Sequence, residues 1–538
     1  MSSIYGCFTG SHSATVALMV DGKVVSVIEE ERITRLKAGD NYDVNADLSL
    51  DSIQKYTGLK MTDVDYNVFA LPTPDGFARK VTNNHYETVS HHTAHAYGAY
   101  YTSGMEGKTM TITYDGGGDT SVMKIFLCDE GKMTLLHSFP MSSYGSLSHV
   151  WGFSTSSIMG YNIFGEGVWK MCKDEGKLMG MAANGHYDKR IYNELKSCIN
   201  YENLRFYPSS NNSKTQFVVD MMKLKGLLDT PHQREIFSFN LQKLTEDLFL
   251  KFLDDLHKLY PDYKNLCFAG GLFANVKLNQ KINELEWLDE MYVYPPMGDE
   301  GLALGSCIYK SVELGEISKP FKFDNMFFGM RYSNDDIFET SKRFRFVREP
   351  YIPSKIAEEI NNGLIVGWFQ NGSEHGPRAL GARSILVRPT DIDTHQLLNE
   401  RLKRHDTMPF APIVLEEHFD ELFTPSKSKY TAEFMTLCYN TKEEWINKIP
   451  AVIQKSDKSA RPQVVVKSKN KKFWTILNEY YKISGIPVLL NTSFNSHNEP
   501  IIENPTQAFI TLRRGVIDKL IIEDYVYYPE PRNVITKF

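Results

Sequence analysis

Alternating apolar and polar positions near the start of the chain predict a meander of three strands. Residues 4–30 begin with an apolar strand that ends in a Gly/Ser-rich turn, and two further strands follow over 14–20 and 23–28. The last two strands are separated by Asp21-Gly22, a dipeptide typical of tight hairpin turns.

The same plan recurs over residues 110–138. A strand ends at Tyr114, a Gly-rich turn spans 115–119, and strands over 120–127 and 132–139 flank a second tight turn. Two copies of this plan favour a duplicated ribonuclease-H-like domain, as in actin-like ATPases, in which both Gly turns face a nucleotide cleft. The alternative is that these are ordinary hairpins of an unrelated α/β protein.

The remainder of the chain alternates predicted helices and strands. Apolar spacing predicts helices over 230–260 and 272–288, with a short buried strand at 266–269 between them. Residues 316–350 lack a clear period, and we place the domain junction there. The predicted elements that follow are a helix over 353–362, a strand over 364–369, helices over 392–403 and near 471–483, and a strand over 486–490.

Composition limits the function classes. A chain of 538 residues is too long for one hydrophobic core, so at least two domains are expected. The net charge of −6, from 60 basic and 66 acidic residues, argues against a large basic surface that binds nucleic acid. Seven cysteines without a C-x-x-C pair indicate reduced thiols, and no apolar stretch reaches the length of a membrane span. We therefore expect a cytoplasmic protein.

The segment from Glu374 to Ser384 is the strongest chemical signal. It carries Arg378 and Arg383, five residues apart, in a frame of Gly and Pro. Guanidinium groups match the oxygens of phosphate or carboxylate, so the segment predicts an anion pocket. An ordered loop with surface ion pairs is the alternative.

A second signal is the pair His91 and His95. On a helix these two imidazoles share one face, which is a spacing that lets both bind one metal ion. Asp115 and Asp299 follow predicted turns and could add two carboxylates. Such a set suits Fe(II), Mn(II) or Zn(II), and the spacing does not choose among them. The alternative is a histidine pair without a ligand.

Gly-rich turns are candidate nucleotide contacts, because backbone N–H groups in such turns can bind phosphate oxygens. Plain structural turns are the alternative at each position. The candidate residues are Asp115, Gly116, Gly117, Gly118, Lys177, Gly270, Gly271 and Asn275.

Further cations and hydroxyls lie in the second half of the chain. Lys403, Arg461 and Ser493 would, together with Arg378 and Arg383, suit a small phosphorylated substrate beside ATP. Whether these residues come together in one site depends on the tertiary structure, which the sequence does not show.

These motifs occur in the order found in one enzyme family. The segments around His91, Asp115, Lys177, Gly270, Asp299 and Arg378, with 409–412 and 491–495, resemble those of NodU/CmcH/TobZ-type O-carbamoyltransferases. The resemblance implies an α/β fold with an N-terminal Kae1-like, actin-like domain over 1–340. It also implies a C-terminal YrdC-like α/β domain over 341–538.

The resemblance further implies the chemistry. The YrdC-like domain would form carbamoyl-adenylate from carbamoyl phosphate and ATP, with Mg²⁺, using Arg378, Lys403, Arg461 and Ser493. His91, His95, Asp115 and Asp299 would hold iron in the Kae1-like domain. Gly117, Gly270, Gly271 and Asn275 would line the adenylate. The carbamoyl group would then pass to an acceptor hydroxyl.

Two points stay open on the sequence. A hydroxyl is a poor nucleophile, so a general base is expected, and His12 is the candidate. The acceptor could be a small molecule, a sugar, or a hydroxymethylated pyrimidine as nucleotide or DNA. A homodimer is plausible. The alternatives to this function are an actin-fold ATPase or kinase, a threonylcarbamoyl-type tRNA modification factor, and a metal-binding scaffold.

Overall fold

The chain forms two compact units. The first holds residues 1–323, 375–377 and 425–439, and the second holds 324–374, 378–424 and 440–538. The structure, a computed structural model, describes residues 2–9, 13–37, 45–141, 146–160, 174–208, 214–403, 410–496 and 499–530.

The first unit contains two sheets of the same topology within the described residues. The first sheet has the order β3-β2-β1-β4-β5. β1 pairs antiparallel with β2 and parallel with β4. Its strands are β1 (Ser3–Phe8), β2 (Thr15–Val20), β3 (Lys23–Glu29), β4 (Tyr66–Ala70) and β5 (Glu87–Val89).

The second sheet repeats this order as β8-β7-β6-β11-β12, with β6 antiparallel to β7 and parallel to β11. Its strands are β6 (Thr109–Tyr114), β7 (Ser121–Asp129), β8 (Lys132–Pro140), β11 (Asn265–Ala269) and β12 (Glu290–Val293). A hairpin of β9 (Ile199–Glu202) and β10 (Arg205–Pro208) stands apart. Two copies of a ribonuclease-H-like sheet form an actin-like domain, so this fold prediction is confirmed.

Matching hairpin turns mark the duplication. Asp21 and Gly22 have φ of 51° and 70°, and Glu130 and Gly131 have φ of 45° and 76°. Positive φ at both central residues is the requirement of a type I′ turn, whose twist suits a two-residue hairpin. The predicted hairpins are therefore confirmed.

Two helices pack at the centre of the first unit. The helix His91–Tyr101 contacts the helix Leu302–Glu313 so closely that a side chain at Gly305 would meet the Ala94 carbonyl oxygen at 2.2 Å. Among the described residues of this unit, the other α-helices are Glu30–Thr34, Asp47–Thr57, Asp75–Thr82, Leu147–Met159, Glu175–Ala182, Lys189–Lys196, Lys214–Leu224, Pro231–Leu259, Val276–Asn283 and Lys429–Ala432.

The prediction of one helix over 272–288 is wrong. A 3₁₀ turn spans Gly271–Ala274 and an α-helix spans Val276–Asn283. Asn275 separates them with an extended ψ of 88°, and its side chain accepts a hydrogen bond from the N–H of Leu278. An asparagine that caps the second helix in this way interrupts the apolar period.

The second unit is built on one mixed sheet of eight strands in the part of the chain described. Its order is β13-β22-β21-β14-β15-β20-β16-β19. The strands are β13 (Phe346–Pro350), β14 (Val366–Phe369), β15 (Arg383–Val387), β16 (Ala411–Leu415), β19 (Gln463–Val465), β20 (Val488–Ser493), β21 (Lys519–Ile522) and β22 (Tyr525–Pro529). Of the two-residue strands, β18 (Ser459–Ala460) belongs to this unit, and β17 (Tyr439–Asn440) has one residue in each unit. Its helices are Asn334–Ser341, Pro353–Asn361, Thr394–Leu402, Phe419–Leu422, Glu443–Ile446, Lys471–Ser484 and Pro505–Arg513.

β20 corrects the predicted end of a strand. The apolar run was expected to end at Leu490, whereas Asn491, Thr492 and Ser493 continue the strand. β20 pairs with both β15 and β16, and this pairing on two sides holds polar residues in the sheet.

Candidate functional site

Four side chains from three parts of the first unit come together. His91 and His95 lie one turn apart on the helix His91–Tyr101. Asp115 directly follows β6, and Asp299 begins a 3₁₀ turn after β12. One ligand atom of each residue lies within 4.8 Å of all the others. The sequence prediction brought these four residues together correctly as a group.

The distances suit a bound ion better than hydrogen bonds. His95 Nε2 lies 3.4 Å from Asp115 Oδ2, and His91 Nε2 lies 3.5 Å from Asp299 Oδ1. Two ligands held at about 2.0–2.1 Å from one ion are about 3–4 Å apart. All four ring nitrogens of the two histidines are buried without a hydrogen-bond partner. The four residues therefore fit a divalent metal ion.

Charge balance in this group favours an ionised Asp115. Burial alone would raise the pKa of Asp115, but the two imidazoles beside it hold that pKa well below its usual value. Burial lowers the pKa of His95, and Asp115 offsets this only in part. For His91, burial is outweighed by the Asp115 and Asp299 carboxylates, which raise its pKa. A dication in this group would replace these protons.

His92 has a different role from its neighbours. Its Nδ1 lies 2.8 Å from Thr113 Oγ1, and its Nε2 lies 2.8 Å from the Ser121 carbonyl oxygen. It therefore connects the helix to β6 and β7. Burial lowers its pKa far below the usual value, so the ring is neutral.

Two glycines of the predicted nucleotide turns lie close to neighbouring elements. Gly270 has φ of 102°, and a side chain there would meet the Tyr114 carbonyl oxygen at 2.3 Å. A side chain at Gly118 would meet the His91 ring at 3.1 Å. Both positions leave room for the elements that carry the four-residue group.

The other glycines differ in what surrounds them. The Gly271 N–H donates to Asp115 Oδ2 at 3.0 Å, which fixes that carboxylate. A side chain at Gly116 would meet no atom within 4 Å, and one at Gly117 would meet Met141 Sδ at 3.2 Å. Gly116 is therefore the most open position of the turn.

Asn275 and Lys177 both have protein partners. Asn275 is 8% exposed and exchanges hydrogen bonds with the Gln242 side chain at 2.8 and 3.1 Å. Lys177 Nζ lies 2.7 Å from Asp174 Oδ1. Contact of either residue with a nucleotide stays a prediction. His12, the candidate base, lies outside the described residues, as do residues 404–409 after Lys403.

Sequence reasoning missed an ionisable side chain near Asp115. His149 lies in the first turn of the helix Leu147–Met159, and burial lowers its pKa to about 4 despite the Asp115 carboxylate. Burial, with the Asp115 charge, raises the pKa of Glu175 to about 8. Glu175 belongs to the Lys177 segment that the sequence singled out, whereas a lone histidine such as His149 carries no spacing signal, so only the fold identifies it.

A buried network around Glu29 was also missed. Glu29 Oε1 accepts hydrogen bonds from the Gly376 N–H at 2.7 Å and contacts His375 Nδ1 at 2.9 Å. Arg32 donates to Glu29 Oε2 at 3.0 Å and to the Gly376 carbonyl oxygen at 2.6 Å. Burial alone would raise the pKa of Glu29, but Arg32 and His375 lower it to about 2. The charges of this network are paired.

The candidate anion-binding residues of the second unit are all at least partly accessible to solvent. Arg378, Arg461 and Ser493 are each half-buried. Lys403 is exposed at the end of the helix Thr394–Leu402, with φ of 55°. Roles for these four residues at a phosphorylated substrate stay predictions.

The inclusion of Arg383 among the substrate cations is corrected by the structure. Arg383 is 0% exposed, and its guanidinium donates to the carbonyl oxygens of Gln370, Asn371 and Glu503 at 2.9–3.2 Å. A guanidinium held by main-chain carbonyls stabilises the fold around it and is not presented to a ligand.

Comparison with known proteins agrees with the motif order. Residues 74–308 match the family described as "Carbamoyltransferase N-terminus", and residues 357–528 match "Carbamoyltransferase C-terminus". Nodulation protein NolNO of Sinorhizobium fredii is 28% identical over 96% of this chain and 79% of its own. The uncharacterized protein MJ1051 of Methanocaldococcus jannaschii is 30% identical over 96% of this chain and 98% of its own.

The solved structures that resemble this chain are less similar to it in sequence than these relatives are. Full-length HypF in its phosphate- and nucleotide-bound form has a TM-score of 0.35 and 13% identity, over 58% of this chain and 56% of its own. The sequence matches define the class: this chain is a carbamoyl-transferring enzyme. It belongs to the carbamoyltransferase family, as its motifs implied.

Among the described helices, none is both long and apolar enough to cross a bilayer.

Proposed function

We propose that this enzyme is an ATP-dependent O-carbamoyltransferase. An adenylate-forming, YrdC-like domain over 341–538 would make carbamoyl-adenylate, and a Kae1-like domain over 1–340 would transfer its carbamoyl group to a hydroxyl. The observation that carries the proposal is the buried group of His91, His95, Asp115 and Asp299 in a carbamoyltransferase-family chain.

The proposed reaction balances in three steps. Water displaces phosphate from carbamoyl phosphate, which gives carbamate and inorganic phosphate. A carbamate oxygen then attacks the α-phosphorus of ATP, and pyrophosphate leaves. Finally the acceptor oxygen attacks the carbamoyl carbon, the hydroxyl proton passes to a base, and AMP leaves.

In the second unit, Arg378, Lys403, Arg461 and Ser493 bind carbamoyl phosphate. A planar guanidinium offers two parallel N–H donors to phosphate oxygens, and Lys403 adds a point charge. These donors would balance the charge that accumulates as phosphate leaves. ATP enters this unit with Mg²⁺.

In the first unit, His91, His95, Asp115 and Asp299 would hold one divalent ion, which we propose to be Fe(II). Such an ion, when bound, acts as a Lewis acid toward a carbonyl or phosphoryl oxygen. The turn containing Gly116, with its open surroundings, would accept the adenylate phosphate through backbone N–H groups. His12 would take the proton of the acceptor hydroxyl.

The acceptor class is the least defined part of the proposal. Small alcohols, sugars and hydroxymethylated pyrimidines, as nucleotides or in DNA, all present a suitable hydroxyl. The proposal commits to oxygen as the nucleophile, and a screen of acceptors by mass spectrometry distinguishes the classes.

The test incubates full-length protein with ATP, Mg²⁺, carbamoyl phosphate and a panel of these acceptors. We expect AMP, pyrophosphate and phosphate in equal amounts and an acceptor that gains the mass of one carbamoyl group. At carbamoyl phosphate concentrations below KM, Arg378→Ala should slow pyrophosphate release about tenfold, whereas Asp299→Asn should abolish carbamoyl transfer. Formation of ADP in place of AMP, independent of carbamoyl phosphate, would instead identify an actin-fold ATPase.

A further inference from the structure

One peptide bond next to Arg378 has both of its polar groups bound by buried side chains. Asn491 Nδ2 donates to the Ala379 carbonyl oxygen at 2.9 Å. On the other side of the same peptide group, the Leu380 N–H donates to Glu374 Oε1 at 2.6 Å. Glu374 and Asn491 are each 1% exposed. A peptide group held at both ends in a dry environment has a fixed orientation.

The same restraint continues along the loop. Gln463 Nε2 donates to the Leu380 carbonyl oxygen at 2.8 Å, and Trp368 Nε1 donates to the Gly381 carbonyl oxygen at 2.9 Å. Glu374 Oε1 also accepts from the N–H groups of Ala382 and Arg383, at 3.3 and 3.2 Å. We call Glu374, Gln463 and Asn491 the loop clamp.

The loop clamp lies beside the residues proposed to bind carbamoyl phosphate. Asn491 and Ser493 both belong to β20 and are two residues apart, so they point to the same face of the sheet. Gln463 is buried two residues after the half-buried Arg461. Asn491 Nδ2 also lies 3.4 Å from Gln463 Oε1, and this contact links β20 to β19. The buried residue of each pair therefore holds the loop, and the half-buried residue of each pair lies two positions away on the same segment.

A fixed main chain matters for an arginine that binds phosphate. Its long side chain loses conformational freedom on binding, and a mobile loop would add to that loss. Bidentate contact also requires the planar guanidinium to be aligned with two oxygens. Side chains that hold the loop reduce the ordering that the ligand must impose.

We propose that Glu374, Gln463 and Asn491 are positioning residues that pre-orient Arg378 toward the phosphate of carbamoyl phosphate. This inference rests on the proposed function, in which Arg378 binds that substrate. The loop clamp itself touches no substrate atom and acts through the main chain of residues 379–383.

A double-mutant cycle on the full chain tests the loop clamp. Calorimetric titration with carbamoyl phosphate measures Kd for wild type, Asn491→Leu, Arg378→Ala and the double variant. We expect each single substitution to raise Kd about tenfold, and the double variant to bind no more weakly than Arg378→Ala alone. Asn504→Ala, which removes the cap of the helix Pro505–Arg513, is the control: it should lower Tm and leave Kd unchanged.

The results of this double-mutant cycle either support or overturn the proposed role of the loop clamp. Additive effects in the double variant, about a hundredfold in total, would show that Asn491 acts independently of Arg378 and would overturn the proposal. An unchanged Kd for Asn491→Leu would do the same. If Asn491→Leu does not fold, Gln463→Leu replaces it in the same cycle. A wild type that binds carbamoyl phosphate without forming AMP refutes the proposed function alone, whereas a folded wild type that does not bind it refutes the loop clamp too.

Discussion

The guanidinium carbon of Arg383 lies 3.5 Å from the centroid of the Phe369 ring. A cation stacked on an aromatic face and bonded to four main-chain carbonyl groups, those of Gln370, Asn371, Ala382 and Glu503, is a fixed part of the fold. Arg378, five residues earlier in the same segment, is half-buried. The two arginines that look equivalent in the sequence therefore have different surroundings.

Lysine substitutions should separate these two arginines. Arg383→Lys loses the planar fork that reaches several carbonyl groups, so we expect the free energy of unfolding to fall by about 2–3 kcal/mol. The folded fraction should keep the wild-type KM for carbamoyl phosphate. Arg378→Lys should raise that KM about tenfold with little loss of stability. Urea titration and initial rates measure the two effects, and a raised KM in Arg383→Lys would contradict this division.

Metal content should depend on His95. His95→Ala removes one buried nitrogen of the four-residue group, and we expect bound metal to fall at least tenfold from about one equivalent per chain. Elemental analysis of the purified protein measures this. His137→Ala, on strand β8 outside the group, is the control and should retain the metal. Equal metal content in both variants would mean that these residues do not hold the ion.

Two glycine substitutions should differ in their effects on stability and on nucleotide binding. Gly270→Ala places a side chain against the Tyr114 carbonyl oxygen in a conformation with φ of 102°, so we expect a loss of about 2 kcal/mol or more in stability. Gly116→Ala meets no atom within 4 Å and should change stability by less than about 0.5 kcal/mol. Because the proposed phosphate contact uses the backbone at Gly116, this substitution should nevertheless weaken binding of a nonhydrolysable ATP analogue, and unchanged binding would contradict that contact. Thermal unfolding and equilibrium binding distinguish the two effects.

Stability should depend on pH through Glu29. Its pKa is lowered from 4.5 to about 2 in the folded protein, so the ionised form is favoured by folding. The contribution is fully present above the unfolded pKa, at about 3 kcal/mol near pH 7, and falls to about half of that by pH 3. Glu29→Gln should therefore cost more stability at pH 7 than at pH 3.

Urea titrations at these two pH values measure the effect of Glu29→Gln. Glu106→Gln, at an exposed position, serves as the control and should show no such difference between pH 7 and pH 3. A cost of Glu29→Gln that is equal at both pH values would mean that the carboxylate charge is not what stabilises this network.

Much of the first unit was predictable because its signals are local. Alternating apolar positions define β1 to β3 and β6 to β8, and the two Asp-Gly and Glu-Gly turns define their hairpins. His91 and His95 are also a local signal, since a helix brings residues four apart onto one face. The helix after Gly271 was predicted too long, because apolar spacing does not reveal that Asn275 turns its side chain back to cap a new helix.

Other residues could not be assigned from their neighbours in the chain. Glu29 meets His375 and Gly376 across more than three hundred positions, and Asn491 meets Ala379 across more than one hundred. A buried polar residue has no sequence period of its own, and its partners are set by which elements pack together. The same limit explains why Arg383 was grouped with Arg378.

The sequence by itself determined the enzyme family, the duplicated strand pattern and the four residues of the candidate metal group, since each depends on residue type at fixed spacing. Tertiary structure alone decided which of two similar arginines is buried and which polar side chains hold the loop after Arg378. Those outcomes follow from burial, because a charged or polar group taken out of water must find its partners wherever the folded chain places them.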